Sequence, residues 1–407
     1  MKIRIFCLLF LTVWTMMSSV EAAREPIVSP YVDATRMSEN FLVDLYQQTG
    51  LKSVTLAFVL GTGFGCTPSW GGEQTLNDPK ILNGVKAFRN IGGKVILATG
   101  GAMGPYLEST CSSADQLAQT YQQALNIVDS KHLDIDIGKL SASVNVDIML
   151  NALKILRTRI PELTISFTMM VQGDDYGIVD SLGVDILKRS RQIGVDVNIV
   201  NGMTMEFGSR RSSWGDAVIA ASESLHRQLQ QIWPEKSSEE LYTMIGVTPM
   251  IGRNFNGKIF QIEHAKQLIE WSKQKQIGHL SFWSVGRDNG DCPGGGISPS
   301  CSSISQQKFE FSKIFQQYSG NHIPDKFSTT TTTTMKPDPN RTTTKPKPID
   351  CSTGIEYIVH ETYCDKYYWC FQGKPHLEQC PNHLVWDPKI NSCNYAENAK
   401  RTDCIQE

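Results

Sequence analysis

The segment His132-Leu133-Asp134-Ile135-Asp136-Ile137-Gly138 sets two carboxylic acids at alternate positions of an apolar run. Alternate side chains of an extended strand share a face, so Asp134 and Asp136 stand on one side and Ile135 and Ile137 on the other. Two acids crowded together out of water cannot both ionise cheaply, and a pair of this kind suits proton handling at a bound substrate. The structural alternative is an acid pair that serves packing or a buried salt bridge. Trp283, closing Ser281-Phe282-Trp283, and Trp70 offer flat apolar faces for a ring-shaped ligand, although a lone aromatic at a strand end more often packs into the core.

The elements that must position these residues follow from periodicity. Short β-branched runs at 27–32, 53–60, 94–98, 132–137, 163–169, 195–200, 242–247 and 278–283 predict strands. Each precedes a segment of helical period, beginning near Ser38, Pro79, Ser113, Ser143, Asp180, Trp214, Ile262 and Ser305. Eight such units within about 250 residues are the arithmetic of a closed (β/α)8 barrel, whose functional residues gather where the strands end. A doubly wound open sheet is the alternative, but no glycine-rich phosphate loop follows the first strand.

With 39 basic and 41 acidic side chains the chain has a net charge of -2, which gives no case for nucleic acid or an anionic membrane surface. Lys2 and Arg4 ahead of the apolar stretch 5–17, with Val20 and Ala22 at cleavage-site spacing, predict a secretory signal peptide over 1–22. The apolar run is shorter than the roughly 20 residues a membrane span needs. Of 11 cysteines, all but Cys7 lie beyond that segment and make an even set suited to disulfides in an oxidising compartment. Residues 328–348 collapse into Thr, Pro and Lys, a linker that buries nothing and that carries a glycosylation sequon at Asn340. The linker divides a long first domain, 24–320, from a cysteine-rich tail, 349–407. Within the first domain Cys66 and Cys111 follow neighbouring strands and are expected to pair across the mouth, and Cys292 with Cys301 to close a short loop.

The fourth strand resembles that of the family 18 glycoside hydrolases, the chitinases, whose signature is D-x-D-x-E. The likeness extends to Cys66-Thr67-Pro68-Ser69-Trp70-Gly71-Gly72 after the second strand, Thr99-Gly100-Gly101 after the third, Met203-Thr204-Met205-Glu206-Phe207 at the sixth (M-x-M-D-Y in the family) and Ser281-Phe282-Trp283 at the eighth. The resemblance implies a barrel that binds chitin or a related N-acetylglucosamine polymer, with Trp283 as the floor beneath the sugar and Trp70 at an outer subsite. It calls for no cofactor and no metal.

The departures bear on activity. The family's glutamate, which protonates the leaving sugar oxygen while the substrate's own N-acetyl carbonyl attacks, aligns with Gly138. The tyrosine that holds the reacting acetamide aligns with Phe207, and the aspartate beside it with Glu206. Loss of general-acid help costs about 10²- to 10⁴-fold in rate. The expectation is a chitin-binding protein of chitinase fold with Asp134 and Asp136 retained as structural or sugar-orienting groups. The alternative is an active endochitinase using an unrecognised acid.

The tail holds Cys351, Cys364, Cys370, Cys380, Cys393 and Cys404 in too few residues for a self-supporting core. Zinc is disfavoured because no C-x-x-C pair occurs. Tyr367-Tyr368-Trp369-Cys370 and Cys380-Pro381 ahead of Trp386-Asp387 resemble the peritrophin-A type chitin-binding domain. That resemblance implies pairing of Cys351 with Cys370, Cys364 with Cys404 and Cys380 with Cys393. It also makes Tyr368, Trp369 and Trp386 the sugar-binding candidates, with Trp386 the one expected to pack inside.

Overall fold

The computed structural model describes residues 27–138, 144–292 and 296–318 and parts of 351–404. The expected signal peptide (1–22), the linker (328–348) and its Asn340 sequon lie outside the described residues. The chain divides into two compact units, Met1–Lys326 and Phe327–Glu407.

In the first unit eight parallel strands close on themselves. The first strand is split by Ser29-Pro30: Ile27–Val28 pairs with the eighth strand, His279–Leu280, while Tyr31–Asp33 pairs with the second, Ser53–Gly61. The ring continues through the third (Lys94–Gly100), fourth (His132–Ile137), fifth (Thr164–Gly173), sixth (Ile199–Met203) and seventh (Ile245–Thr248) back to the eighth. Parallel neighbours require crossovers, and each crossover is a helix with an apolar stripe turned to the sheet. Helix Ala114–Ile127, for example, buries Leu117, Ala118, Tyr121, Ala124 and Leu125. Side chains start these helices by accepting free N–H groups: Asp78 before Pro79–Asn90, Ser113 before Ala114–Ile127, Asn145 before Val146–Arg159 and Ser213 before Trp214–Ile232.

Several strands depart from the periodicity reading, the fifth running on to Gly173. The sixth begins at Ile199, four residues later than expected. The run expected as a strand from 242 is helical to Met244, because Ser237 and Glu240 form a capping box that nucleates Ser238–Met244. The eighth is confined to His279–Leu280, although Trp283 still bridges Met250 beyond it.

The barrel's interior is polar near the N-terminal ends of its strands. Ser29 Oγ meets Ser53 Oγ at 3.0 Å, Thr55 and Ser281 donate to Ser29 O, and His132 Nε2 lies 3.0 Å from Ser166 Oγ. Among the described residues no helix is long and apolar enough to cross a membrane.

Disulfides join Cys66 to Cys111 and Cys292 to Cys301 in the barrel unit. In the tail they join Cys351 to Cys370 and Cys364 to Cys404, and Cys380 is disulfide-bonded as well. The tail's strands Tyr357–Val359, Lys366–Phe371 and Lys374–Gln379 form one antiparallel sheet, and Leu384–Asp387 pairs with Ser392–Tyr395.

Candidate sugar site at the barrel mouth

Alternation along the fourth strand turns Asp134 and Asp136 into the barrel, where both are buried. Asp134 is fully engaged. It accepts from Tyr31 Oη at 2.7 Å, Ser166 Oγ at 2.6 Å and Thr168 Oγ1 at 2.9 Å. The network continues outward, with Asn201 Nδ2 donating to Thr168 Oγ1 and Thr248 Oγ1 donating to Asn201 Oδ1, each at 2.9 Å. Burial pushes Asp134 up to about 6, against the pull of these three hydroxyls. Tyr31, Ser166, Thr168, Asn201 and Thr248 were not singled out from sequence, yet polar residues at alternate positions of apolar strands were the signal that would have found them.

Asp136 is different. Its Oδ1 is buried with no hydrogen-bond partner. Burial, and then the charge of Asp134, push its carboxyl well above the usual range, with the Gly138 N–H pulling the other way. Both causes favour the protonated form of this carboxyl. Just beyond it, a Cβ built on Gly138 would lie 3.2 Å from Asp136 Oδ1 and 3.3 Å from the Gly101 carbonyl. The bare oxygen therefore faces the place where a longer residue's side chain would begin. Tyr106 closes this corner, donating from Oη to Gly101 O at 2.8 Å.

The aromatic floor comes from the first, second and eighth strands. Trp283 is half-buried, stacked on Phe58 with centroids 5.7 Å apart and an interplanar angle of 16°, and packed against Tyr31 at 5.9 Å. Tyr31 thus links the floor to Asp134.

Other candidates are placed elsewhere. Trp70 is 0% exposed, because Pro68–Trp70 folds back antiparallel on the second strand and its indole Nε1 bonds to Leu76 O. The expectation of an outer subsite on Trp70 is corrected accordingly. Phe207 is buried and packs against Trp214 with ring centroids 4.5 Å apart. The preceding Glu206 has φ 60, a left-handed turn that sends Phe207 inward and leaves Glu206 exposed. Its carboxylate accepts from Phe255 N at 2.7 Å and Asn256 N at 2.8 Å, on the loop after the seventh strand.

Carboxylates nearest the other strand ends are also spoken for. Asp33 binds Thr35 and Arg36, Asp174 binds Ser209 and Arg211, and Asp288 accepts from Phe311 N, Ser312 N and Gln306. Glu108 accepts from Thr99 and Tyr121 on the helix side of the third strand. Among the described residues no group of three His, Cys, Asp or Glu is placed to hold a metal.

In the tail, Trp386 is 3% exposed and stacks on Tyr367 at 3.7 Å, which makes it interior packing rather than a sugar face. Tyr368 is half-buried and stacks on His360 at 5.4 Å. It stands in register between Ile358 and Leu377, the latter 56% exposed. The Trp369 side chain lies outside the described residues.

Residues 351–404 match the family described as "Chitin binding Peritrophin-A domain". The barrel is similar to active domain 2 of the thermostable chitinase from Pyrococcus furiosus, solved as catalytic-site mutants complexed with chito-oligosaccharides. The two share 36% identity over 73% of this chain and 96% of that one, with a TM-score of 0.65. A probable bifunctional chitinase/lysozyme from Escherichia coli (strain K12) is 28% identical over 313 residues, 72% of this chain and 34% of that protein. In the tail, peritrophin-1 from Anopheles gambiae is 49% identical over 45 residues, 11% of this chain and 29% of that protein. The chain spans about a third to a half of the length of the curated relatives it matches over the barrel.

Proposed function

We propose that this chain, which belongs to the family 18 chitinases and carries a peritrophin-A domain over residues 351–404, binds chitin at two sites and does not hydrolyse it at an enzyme's rate. The observation that carries this reading is the end of the fourth strand, where Gly138 has no proton to give and leaves Asp136 Oδ1 without a partner. A glycosidic oxygen leaves as an alkoxide unless an acid within hydrogen-bond reach protonates it, and that help is worth about 10²- to 10⁴-fold. The carboxylates of Asp33, Asp174, Glu206 and Asp288 are committed to other bonds. Residues 139–143, Lys-Leu-Ser-Ala-Ser, contain no acid.

Binding makes a smaller demand. Trp283 keeps a partly exposed indole braced by Phe58 and Tyr31, which suits the apolar face of a pyranose and needs no proton transfer. Tyr368 and Leu377 in the tail offer a second apolar row. Two sites joined by a Thr-rich linker raise retention on one fibre through effective concentration. The expected signal peptide and the disulfides support an extracellular setting.

One observation favours slow turnover as a second reading: among the described residues Asp136 Oδ1 has no partner, and burial shifts this carboxyl towards its protonated form. The test is to incubate the full chain with chitin pentasaccharide, measuring binding by calorimetry and products by chromatography. Binding without shortened products is expected. Shortened products that vanish in Asp136→Asn would establish the second reading instead.

A further inference from the structure

Exposed large apolar side chains of the barrel unit include Phe64 at 86%, Met103 at 74% and Phe255 at 74%, on the loops that follow the second, third and seventh strands. All three therefore lie on the mouth side. Phe255 is singled out by how it is held. The turn 254–257 is held by several hydrogen bonds: Asn254 N donates to Lys258 O at 2.9 Å, Gly257 N to Asn254 O at 3.1 Å, and Asn254 Nδ2 to Met250 O at 2.9 Å. Asn256 Nδ2 donates to Phe207 O at 3.1 Å. The tip is clamped by Glu206, whose two oxygens accept the successive N–H groups of Phe255 and Asn256. A phenyl ring left in water on a rigid turn gains nothing for folding, since an apolar side chain lowers the free energy only when it is covered.

We infer that Phe255 is a sugar-stacking residue for a chitin segment crossing the mouth, and that Glu206 is its positioning residue rather than a proton-handling group. The inference rests on the barrel binding chitin as proposed above and deepens that reading. The occupant follows from continuity with the floor: the loop bearing Phe255 is tied to the eighth strand end by Ile251 N donating to Trp283 O at 3.0 Å, by the Met250–Trp283 bridge, and by buried Arg287, which donates to Ile251 O and Arg253 O. The ring and the Trp283 indole are thus carried on one hydrogen-bonded assembly. A β-1,4-linked N-acetylglucosamine chain presents apolar ring faces in sequence, which two aromatic side chains on a fixed frame can meet without an ordering cost.

The experiment is calorimetric titration of the full chain with chitin hexasaccharide, the barrel's class of sites being identified as the one weakened in Trp283→Ala. Phe255→Ala is expected to weaken that class about tenfold and Phe255→Trp to retain it. Glu206→Gln, which keeps the shape but loses one acceptor for the paired N–H groups, is expected to weaken it about threefold. If Glu206 acts through the ring, Glu206→Gln adds nothing to Phe255→Ala. Parent-like affinity of Phe255→Ala beside a weakened Trp283→Ala overturns this inference and leaves the binding proposal standing. A parent with no site sensitive to Trp283 overturns both. If Phe255→Ala changes only the sedimentation of the protein with concentration, the ring serves contact between copies and the sugar assignment is wrong.

Discussion

The closed interior of the barrel and its open mouth meet within three residues of the fourth strand. Asp134 on the inner side takes hydrogen bonds from three hydroxyls on two other strands, and the network continues to the sixth and seventh. Asp136, one position nearer solvent on the same face, keeps a bare oxygen, and Gly138 beyond it has no side chain at all. Burial of polar groups is tolerated where every one is partnered, so the inner carboxylate is part of the architecture. The outer one keeps an oxygen without a partner among the described residues. Removing the acid from the rim takes away a proton at one point in space, whereas the aromatic floor, built from three strands, is untouched by that change.

The largest expected effect tests the inner side. Asp134→Ala removes the shared acceptor of Tyr31, Ser166 and Thr168; Tyr31 can still meet Thr168 and Ser166 can still meet His132, so with an unsatisfied buried group costing about 1–3 kcal/mol a loss of about 3 kcal/mol is expected in urea denaturation. Asp136→Asn should stay within about 1 kcal/mol of the parent, because it removes a crowded acid whose Oδ1 bonds to nothing. Equal losses from both would erase the distinction between interior and mouth.

An unpartnered histidine of the interior sharpens the comparison. His279 is buried with Nδ1 unpartnered, and burial lowers its pKa to about 4. The unfolded value is about 6.5, so protons bind the unfolded chain first and stability is lost as pH falls from about 6.5 towards 4. Asp134, raised to about 6, works the other way: its protonation in the folded state adds stability as pH falls through the same window. Replacing His279 with Asn removes only the first effect. Relative to the parent, His279→Asn should gain about 2 kcal/mol on going from pH 7 to pH 5. A constant difference across that range would mean that His279 has a proton partner when folded.

A smaller effect than that of Asp134→Ala is expected at the floor. Trp283→Ala should weaken chitooligosaccharide binding by about 1–2 kcal/mol, in the range of a well-packed aromatic contact, while leaving tail binding to chitin beads unchanged. Loss of both would mean that the substitution unfolds more than the site.

Much of this was readable in the chain. Alternation placed Asp134 and Asp136 inward, and the eight strand–helix repeats sufficed for the barrel. The misses have physical causes. Trp70 looks like a rim residue until the chain after the second strand turns back and pairs with it, a tertiary event no local pattern records. Glu206 bonds to residues 49 and 50 positions away, and it does so only because φ 60 turns its side chain out and Phe207 in. The helix ending at Met244 was signalled by Ser237 and Glu240 at capping-box spacing, but the β-branched run after it looked stronger.

The most direct test of the central claim compares the parent chain and Gly138→Glu on chitin pentasaccharide with its natural leaving group. The added Cβ meets Asp136 Oδ1 and Gly101 at 3.2–3.3 Å, so a small shift is needed to seat it. A glutamate there should raise turnover by about 10²-fold or more over the parent. The account predicts that the parent binds the pentasaccharide and leaves its length unchanged over the time in which Gly138→Glu shortens it. Parent turnover equal to that of Gly138→Glu would contradict it.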